Sequence, residues 1–173
     1  GDNKIYCLMH NNGKSSMERL KQIYFYYFDK AYDDEWDNRI EVLEVDISNP
    51  DSLDVVKEYD FSTVINCAAI VKHFGDVNVL KKVNTDGVIN LAQLCLATNS
   101  RLIHVSTVSV GGDSIGEDAD RVTLYESNLD IGQEVESNAY VYSKYLAEKY
   151  LVEAMEKEGL DAFISLIKNK FFR

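Results

Sequence analysis

The sequence predicts an α/β domain built on a doubly wound parallel sheet. Short apolar runs alternate with longer stretches whose apolar residues recur every three or four positions, the pattern of strands alternating with helices. The apolar runs are nearly continuous, as in strands that a parallel sheet buries on both faces. The chain has 173 residues, which suits one domain with a sizeable hydrophobic core.

The predicted elements follow one another with short polar connections. In chain order they are a strand at 4–9, a helix from about Met17, a strand at 40–45 ending at Asp46, a short helix at 51–59, a strand at 63–66, a helix from 76 to about 98, a strand at 102–105, a helix at 139–158 and a strand at 162–166. Ser137 or Asn138 is placed to cap the helix at 139–158, and Gly159 to end it in the left-handed conformation.

Tyr140 and Lys144 open that helix and form the strongest chemical motif. Residues four apart lie on one helix face, so the phenol and the amine are one turn apart. A neighbouring cation favours the phenolate, and we expect it to bring the tyrosine pKa toward neutrality. Thr107 follows the strand at 102–105, and its hydroxyl is suited to hold a carbonyl oxygen that the tyrosine protonates.

The spacing Tyr-x-x-x-Lys alone is weak evidence, because chance produces it readily. It also occurs at Tyr26/Lys30 and Tyr145/Lys149. Only Tyr140/Lys144 follows a strand ending in Ser-Thr and lies in the first turns of its helix. This context favours a catalytic pair over a structural one.

Composition excludes several classes of function. The net charge of −11 disfavours nucleic acid and anionic membranes as partners. The three cysteines, Cys7, Cys67 and Cys95, are scattered through apolar segments without CxxC spacing, so we expect neither a metal site nor disulfides. No apolar run approaches the roughly 18 residues of a membrane span, and a cytoplasmic location is the default expectation.

The segments HVSTVSVGG and NAYVYSKYLAEKYL resemble the extended short-chain dehydrogenase/reductase superfamily. Within it, the chain looks most like the thioester reductase domains that terminate nonribosomal peptide synthetases, which are related to carboxylic acid, aminoadipate and fatty acyl reductases. The resemblance implies a Rossmann-like fold, with residues 1–173 as a partial NAD(P)-binding domain. It implies NADPH as cofactor, with NAD possible, and a carrier-bound thioester substrate presented by an acyl or peptidyl carrier domain.

The resemblance also assigns site residues. Thr107, Tyr140 and Lys144 match the family's catalytic triad, and Tyr140 and Lys144 also meet the cofactor. The other residues that it assigns to cofactor binding are His10, Lys14, Arg19, Asp46, Ile47, Ala68, Ala69 and Asn84. His10 stands where the family has an arginine for the 2′-phosphate, which leaves Lys14 and Arg19 as substitutes and the choice between NADPH and NADH open. His73 falls near the nicotinamide side of the pocket.

The chain departs from the family pattern at both ends. The family's first strand and glycine-rich phosphate loop are absent, as is a C-terminal substrate domain, and Gly111-Gly112 does not replace the loop because it follows a later strand. In a sheet ordered 3-2-1-4-5-6, this omission leaves a gap between strands two and four. We therefore expect this chain alone to be inactive.

Three functions remain open at this point. The first is a fragment of an NADPH-dependent reductase that releases a carrier-bound thioester as an aldehyde or alcohol. The second is another extended short-chain enzyme, such as a nucleotide-sugar epimerase. The third is a non-catalytic Rossmann-like fragment.

Overall fold

The structure, a computed structural model, describes residues 4–30, 39–72, 76–112 and 128–167. The strands and helices lie where the sequence predicts them, with boundaries that differ by at most two residues. The chain forms two compact units, Gly1–Glu58 and Tyr59–Arg173.

The first unit contains β1 (Ile5–Met9), α1 (Ser16–Phe28), β2 (Ile40–Glu44) and a 3₁₀ helix (Pro50–Glu58). β1 and β2 pair in parallel, with Ile5 opposite Ile40 and Met9 opposite Glu44. The expectation that β1 is buried on both faces is wrong for this unit, because Ile5 is exposed and the rest of the strand is half-buried. Two strands and one long helix supply too little surface to cover it.

The Glu44 carboxylate holds the turn after β1 against the end of β2. It accepts hydrogen bonds from Asn11 Nδ2 at 2.9 Å and from Ser16 Oγ at 2.7 Å. Ser15 caps α1 by accepting from Glu18 N at 3.3 Å. The first unit therefore presents an ordered turn at the carboxyl end of its strands.

The second unit contains three strands in the order β3-β4-β5, all parallel. Its elements are β3 (Thr63–Asn66), α2 (Val77–Lys81), a π-helical turn (Lys82–Asp86), α3 (Gly87–Thr98), β4 (Arg101–Thr107), a 3₁₀ turn (Val108–Gly111), α4 (Ala139–Lys157) and β5 (Ala162–Ile167). The parallel α/β class is confirmed. The described strands form two separate sheets, β1-β2 and β3-β4-β5.

The two faces of the three-stranded sheet differ sharply. Leu102, His104 and Ser106 on β4 are buried. The helix α4 packs on this face, where Lys144 bonds to His104 and Glu148 bonds to Ser106. Alternate positions point the other way, and Ile65, Phe163 and Ile167 are exposed there within the described residues. The buried face therefore carries polar side chains that must be satisfied internally.

The ends of α4 match the prediction. Asn138 is the N-cap, with its Oδ1 accepting from Tyr140 N at 3.0 Å and from Val141 N at 3.2 Å. Gly159, just past the C-terminus, has φ of +75°, a conformation that glycine adopts without strain. These caps fix where Tyr140 and Lys144 stand relative to the helix start.

Candidate active site

Thr107, Tyr140 and Lys144 all lie in the second unit. Thr107 is the last residue of β4, and Lys144 reaches the same strand two residues earlier, with its Nζ 2.9 Å from the carbonyl oxygen of Val105. The Thr107 Oγ1 accepts from Ser109 N at 3.2 Å, which caps the 3₁₀ turn that follows. The start of α4 therefore faces the carboxyl end of β4, the edge where open α/β sheets bind ligands.

Tyr140 is buried in an apolar cluster with Leu80, Val135 and Val141. Burial raises its pKa above the ordinary value of 10. The expectation that Lys144 lowers this pKa is not met in this structure, because the lysine amine is directed to β4. A change in the contacts of Lys144 is needed before it can favour the phenolate.

Lys144 is 1% exposed, and two hydrogen bonds hold its amine. The Nζ lies 2.9 Å from the Val105 oxygen and 2.9 Å from His104 Nε2. Burial lowers the Lys144 pKa to about 8, while the charges of Glu148 and Cys67 act in the opposite direction. The amine therefore titrates close to physiological pH.

His104 is a site residue that the sequence analysis missed. It is fully buried at the centre of β4, between Lys144 and Asn66, whose Nδ2 lies 3.1 Å from His104 Nδ1. Burial, and then the charge of Lys144, lower its pKa to about 3, so the imidazole is neutral. The available signal was its position in HVST, two residues before Ser106 and on the same strand face.

Ser106 and Glu148 form a second buried polar contact beside Lys144. The Ser106 hydroxyl donates to Glu148 Oε1. Burial raises the Glu148 pKa, opposed by the Ser106 hydrogen bond and by Lys144. Glu148 follows Lys144 by four residues on α4, so the sequence spacing alone was enough to predict its proximity.

Asn84 lies in the π-helical turn and ties the loop after β3 to α4. Its Oδ1 accepts from Ile70 N at 2.7 Å, and its Nδ2 donates to Ile70 O and to Ser143 Oγ, both at 3.0 Å. The side chain is fully buried, so it would affect a bound cofactor through the Ile70 loop. π-Turns inside α-helices are frequent at functional sites.

The loop after β3 presents small residues at the strand's carboxyl end. Ala68 is exposed and Ala69 half-buried, and Ala68 N donates to Asn66 Oδ1 at 3.0 Å. Small side chains here leave room for a ligand to approach the backbone. Their contact with a cofactor stays a prediction.

The remaining predicted cofactor residues lie in the first unit. His10 and Lys14 are exposed in the turn after β1, and Arg19 on α1 donates from Nη1 to His10 O at 2.8 Å. Asp46 and Ile47 follow β2, and Asp46 Oδ1 accepts from Ser48 N at 2.9 Å and from Ser48 Oγ at 2.7 Å. His10 follows the carboxyl end of β1, and Asp46 follows that of β2. The contact of these residues with a cofactor stays a prediction.

A pocket of about 230 Å³ opens beside the start of α4, lined by Ser109, Gly112, Glu134, Val135, Ser137, Asn138 and Val141. Gly112 shapes it, with φ of +57° and a position where an added Cβ would lie 2.3 Å from Glu134 O. Only glycine fits such a backbone without displacing the neighbouring segment. Ser109 lines the pocket, and its Oγ accepts a hydrogen bond from Thr107 Oγ1 at 3.2 Å.

Two further findings concern the parts of the chain that the structure describes. No helix among them is long and apolar enough to cross a membrane, and no group of three or more His, Cys, Asp or Glu side chains is placed to hold a metal ion. His73 lies outside the described residues.

Comparison with known proteins connects this geometry to a family. Residues 1–166 match a NAD-binding family described as male sterility protein. The chain is 30% identical over 131 residues to the hybrid PKS-NRPS synthetase prlS of a fungal species (strain NRRL 50135), covering 73% of this chain and 3% of that protein.

Two solved structures are similar over 96% of this chain. One is a thiolation-reductase di-domain from an archaeal non-ribosomal peptide synthetase, with 35% identity and a TM-score of 0.83, of which 36% is covered. The other is the reductase domain of the aureusimine biosynthetic cluster, with 28% identity and a TM-score of 0.70, of which 42% is covered. The chain thus spans less than half of each of these three proteins.

Proposed function

Because this chain belongs to the NAD-binding family described as male sterility protein, we propose that it is the nicotinamide-binding part of a thioester reductase. Its substrate would be an acyl or peptidyl thioester on a carrier domain, released as an aldehyde or an alcohol with NADPH as reductant. The observation that carries the proposal is the approach of α4 to β4, where Lys144 bonds to Val105 just before Thr107. Similarity to reductase domains of peptide synthetases supports the substrate class.

Each residue of the triad has a distinct part in this proposal. Tyr140 would donate a proton to the oxygen of the reacting carbonyl, and the Thr107 hydroxyl would hold that oxygen. Preorganised donors of this kind stabilise the charge that develops in the transition state. Lys144 would hold the ribose beside the tyrosine and tune its pKa.

The cofactor proposal depends on residues at the carboxyl ends of the strands. When bound, NADPH supplies the hydride. Ala68 and Ala69 would leave space for it, Asp46 and Ile47 would meet the adenine, and His10, Lys14 and Arg19 would face the 2′-phosphate. The basic turn and the exposed Ala68 support this fit. The sequence has no glycine-rich turn between a strand and a helix, so we assign the pyrophosphate to no residue of this chain.

The test uses the full-length protein that carries this chain. NADPH oxidation is followed with an acyl-pantetheine thioester, for the wild type, for Tyr140→Phe and for Tyr145→Phe. Tyr145 lies on the same helix and packs against the same apolar cluster, so it controls for the loss of a phenol hydroxyl there. We expect Tyr140→Phe to lower turnover by about 10²- to 10⁴-fold and Tyr145→Phe to change it little.

Three outcomes would contradict the proposal. Near-normal turnover of Tyr140→Phe would remove the proposed proton donor. A wild-type protein that binds NADPH but reduces no thioester would favour another extended short-chain activity, such as epimerisation of a nucleotide sugar. Absence of saturable NADPH binding would favour a non-catalytic fragment.

A further inference from the structure

Three consecutive hydrogen bonds connect the loop after β3 to Lys144, and a fourth joins Lys144 to β4. Ala68 N lies 3.0 Å from Asn66 Oδ1, and Asn66 Nδ2 lies 3.1 Å from His104 Nδ1. His104 Nε2 lies 2.9 Å from Lys144 Nζ, which lies 2.9 Å from Val105 O. Asn66, His104 and Lys144 are 3%, 0% and 1% exposed, so their hydrogen-bond partners must come from the protein itself.

The direction of these bonds follows from their first member. A backbone N–H only donates, so the oxygen of the Asn66 amide must face Ala68 and its NH₂ group must face His104. A neutral imidazole has one donor and one acceptor nitrogen. Since Nδ1 accepts from Asn66, the proton of His104 is on Nε2, the nitrogen that faces Lys144.

This tautomer decides which form of Lys144 fits. An ammonium has three donors and no acceptor, so it would place two donors 2.9 Å apart at His104 Nε2. A neutral amine accepts from Nε2–H with its lone pair and still donates to Val105 O. In the other tautomer, His104 Nδ1–H would face the NH₂ group of Asn66, so that two donors meet. Flipping the Asn66 amide would relieve this but would make its NH₂ group face the Ala68 N–H, which is also a donor.

We infer that Asn66 and His104 are positioning residues that favour the neutral form of the Lys144 amine, in which its lone pair accepts a hydrogen bond from His104 Nε2–H. The inference deepens the proposed function, because it concerns the lysine of the proposed triad. Ala68, which anchors the bonds, is also in the loop proposed to line the cofactor groove. If the Ala68 N–H moved away, the Asn66 amide could flip and accept a hydrogen bond from His104 Nδ1–H. His104 Nε2 would then be an acceptor, which suits an ammonium at Lys144. The charge of Lys144 is thereby coupled to the position of that loop.

The groups that face Lys144 from neighbouring elements act on its charge in different directions. From β4, His104 is neutral, with a pKa lowered to about 3. From α4, Glu148 raises the pKa of the lysine, and its own pKa is raised by burial, while the Tyr140 pKa is also raised. From the loop after β3, the charge of Cys67 also raises the Lys144 pKa, as that of Glu148 does. Burial outweighs both and leaves the Lys144 pKa at about 8.

The decisive measurement is the tautomer of His104 by ¹⁵N NMR of the imidazole nitrogens in ¹⁵N-histidine-labelled protein. The chain has three histidines, so the signal is assigned as the one that His104→Gln removes. We expect the Nε2–H tautomer in the wild type at pH 9. An Nδ1–H tautomer there would overturn the inference without reference to any variant or any enzymatic activity.

Asn66→Asp tests the direction of the bonds with a side chain of the same shape. A carboxylate accepts from both Ala68 N–H and His104 Nδ1–H, so it should switch His104 to the Nδ1–H tautomer. His104 Nε2 then accepts from Lys144, and we expect the lysine midpoint, read from its ¹⁵Nζ shift, to move about one pH unit or more higher. An unchanged tautomer would refute the inference.

The added charge of the aspartate needs its own control. Asn66→Asp in a His104→Leu background keeps the added charge but removes the imidazole that links position 66 to Lys144. Its effect on the Lys144 midpoint should therefore be clearly smaller. Equal shifts in both backgrounds would mean that charge alone acts, which would overturn the inference. In the full-length enzyme, Asn66→Asp should move the pH profile of kcat by the same amount as the NMR midpoint. Failure of that assay alone would count against the proposed function and leave the tautomer result intact.

Discussion

Replacing Lys144 with methionine should reveal how much the buried amine destabilises the fold. The lysine pKa falls from an ordinary 10.5 to about 8 on folding because the side chain is buried. At about 1.4 kcal/mol per pH unit, this fall corresponds to about 3 kcal/mol of lost stability wherever both states are protonated. Methionine has a similar volume and carries no such penalty.

The sign of the pH dependence follows from proton counts. Below about pH 8 the folded and unfolded chains are both protonated at this lysine, so the penalty is fully present. Between about 8 and 10.5 the folded state releases its proton first, the unfolded state binds more protons, and stability rises with pH. Above 10.5 both states are neutral and the penalty is gone.

The measured quantity is the difference in unfolding free energy between Lys144→Met and the wild type from urea denaturation at pH 7 and at pH 10.5. We expect this difference to move by about 3 kcal/mol in favour of the wild type as pH rises. Buried groups with raised pKa values, Cys95 at about 12 and Tyr140, lower stability at alkaline pH, but they act equally in both proteins.

Lys149→Met is the matched control, because Lys149 is exposed on the same helix and its replacement should leave the wild-type pH dependence unchanged. A difference for Lys144→Met that stays constant between the two pH values would refute the reasoning. It would mean that the amine remains an ammonium in the folded chain.

Three further predictions follow from the site geometry. Asn84→Ala removes the hydrogen-bond partner of the Ile70 N–H and C=O and should lower the free energy of unfolding by about 2–4 kcal/mol. Asn78 is exposed, so Asn78→Ala should have little effect, and equal losses of the two variants in chemical denaturation would contradict this. Gly112→Ala should lower Tm more than Gly132→Ala, because both positions have positive φ but only Gly112 lacks space for a Cβ; equal thermal shifts would sink this account. The full-length protein should prefer NADPH to NADH in kcat/KM, and Lys14→Ala should reduce that ratio by about tenfold; equal specificity constants in the wild type would exclude the preference.

Periodicity predicted the elements well because each strand and helix is fixed by local pattern. The caps of α4 and the positions of Tyr140 and Lys144 needed only the helical repeat and Asn138. The π-helical turn was missed, although the apolar positions Val83 and Val88 are five apart where a regular helix places them three or four apart.

The partners of Lys144 were beyond sequence reasoning for a different reason. Spacing along α4 says that Lys144 and Tyr140 share a helix face, but the packing of the helix on β4 decides where the amine ends. His104 looked like one more residue of a buried strand, and only the register of β3 with β4 places Asn66 opposite it. Such contacts depend on tertiary geometry that no local pattern encodes.

The all-parallel pairing of the strands also has a kinetic consequence. Asn66 and His104 are 38 positions apart, and Arg101 and Asp161, which join β4 to the start of β5, are 60 apart. Every strand pair therefore forms only after a long loop has closed, which slows folding relative to hairpin-built sheets. Ile65 and Phe163 would remain accessible to other chains throughout that delay. Low temperature and low protein concentration should therefore increase the refolding yield.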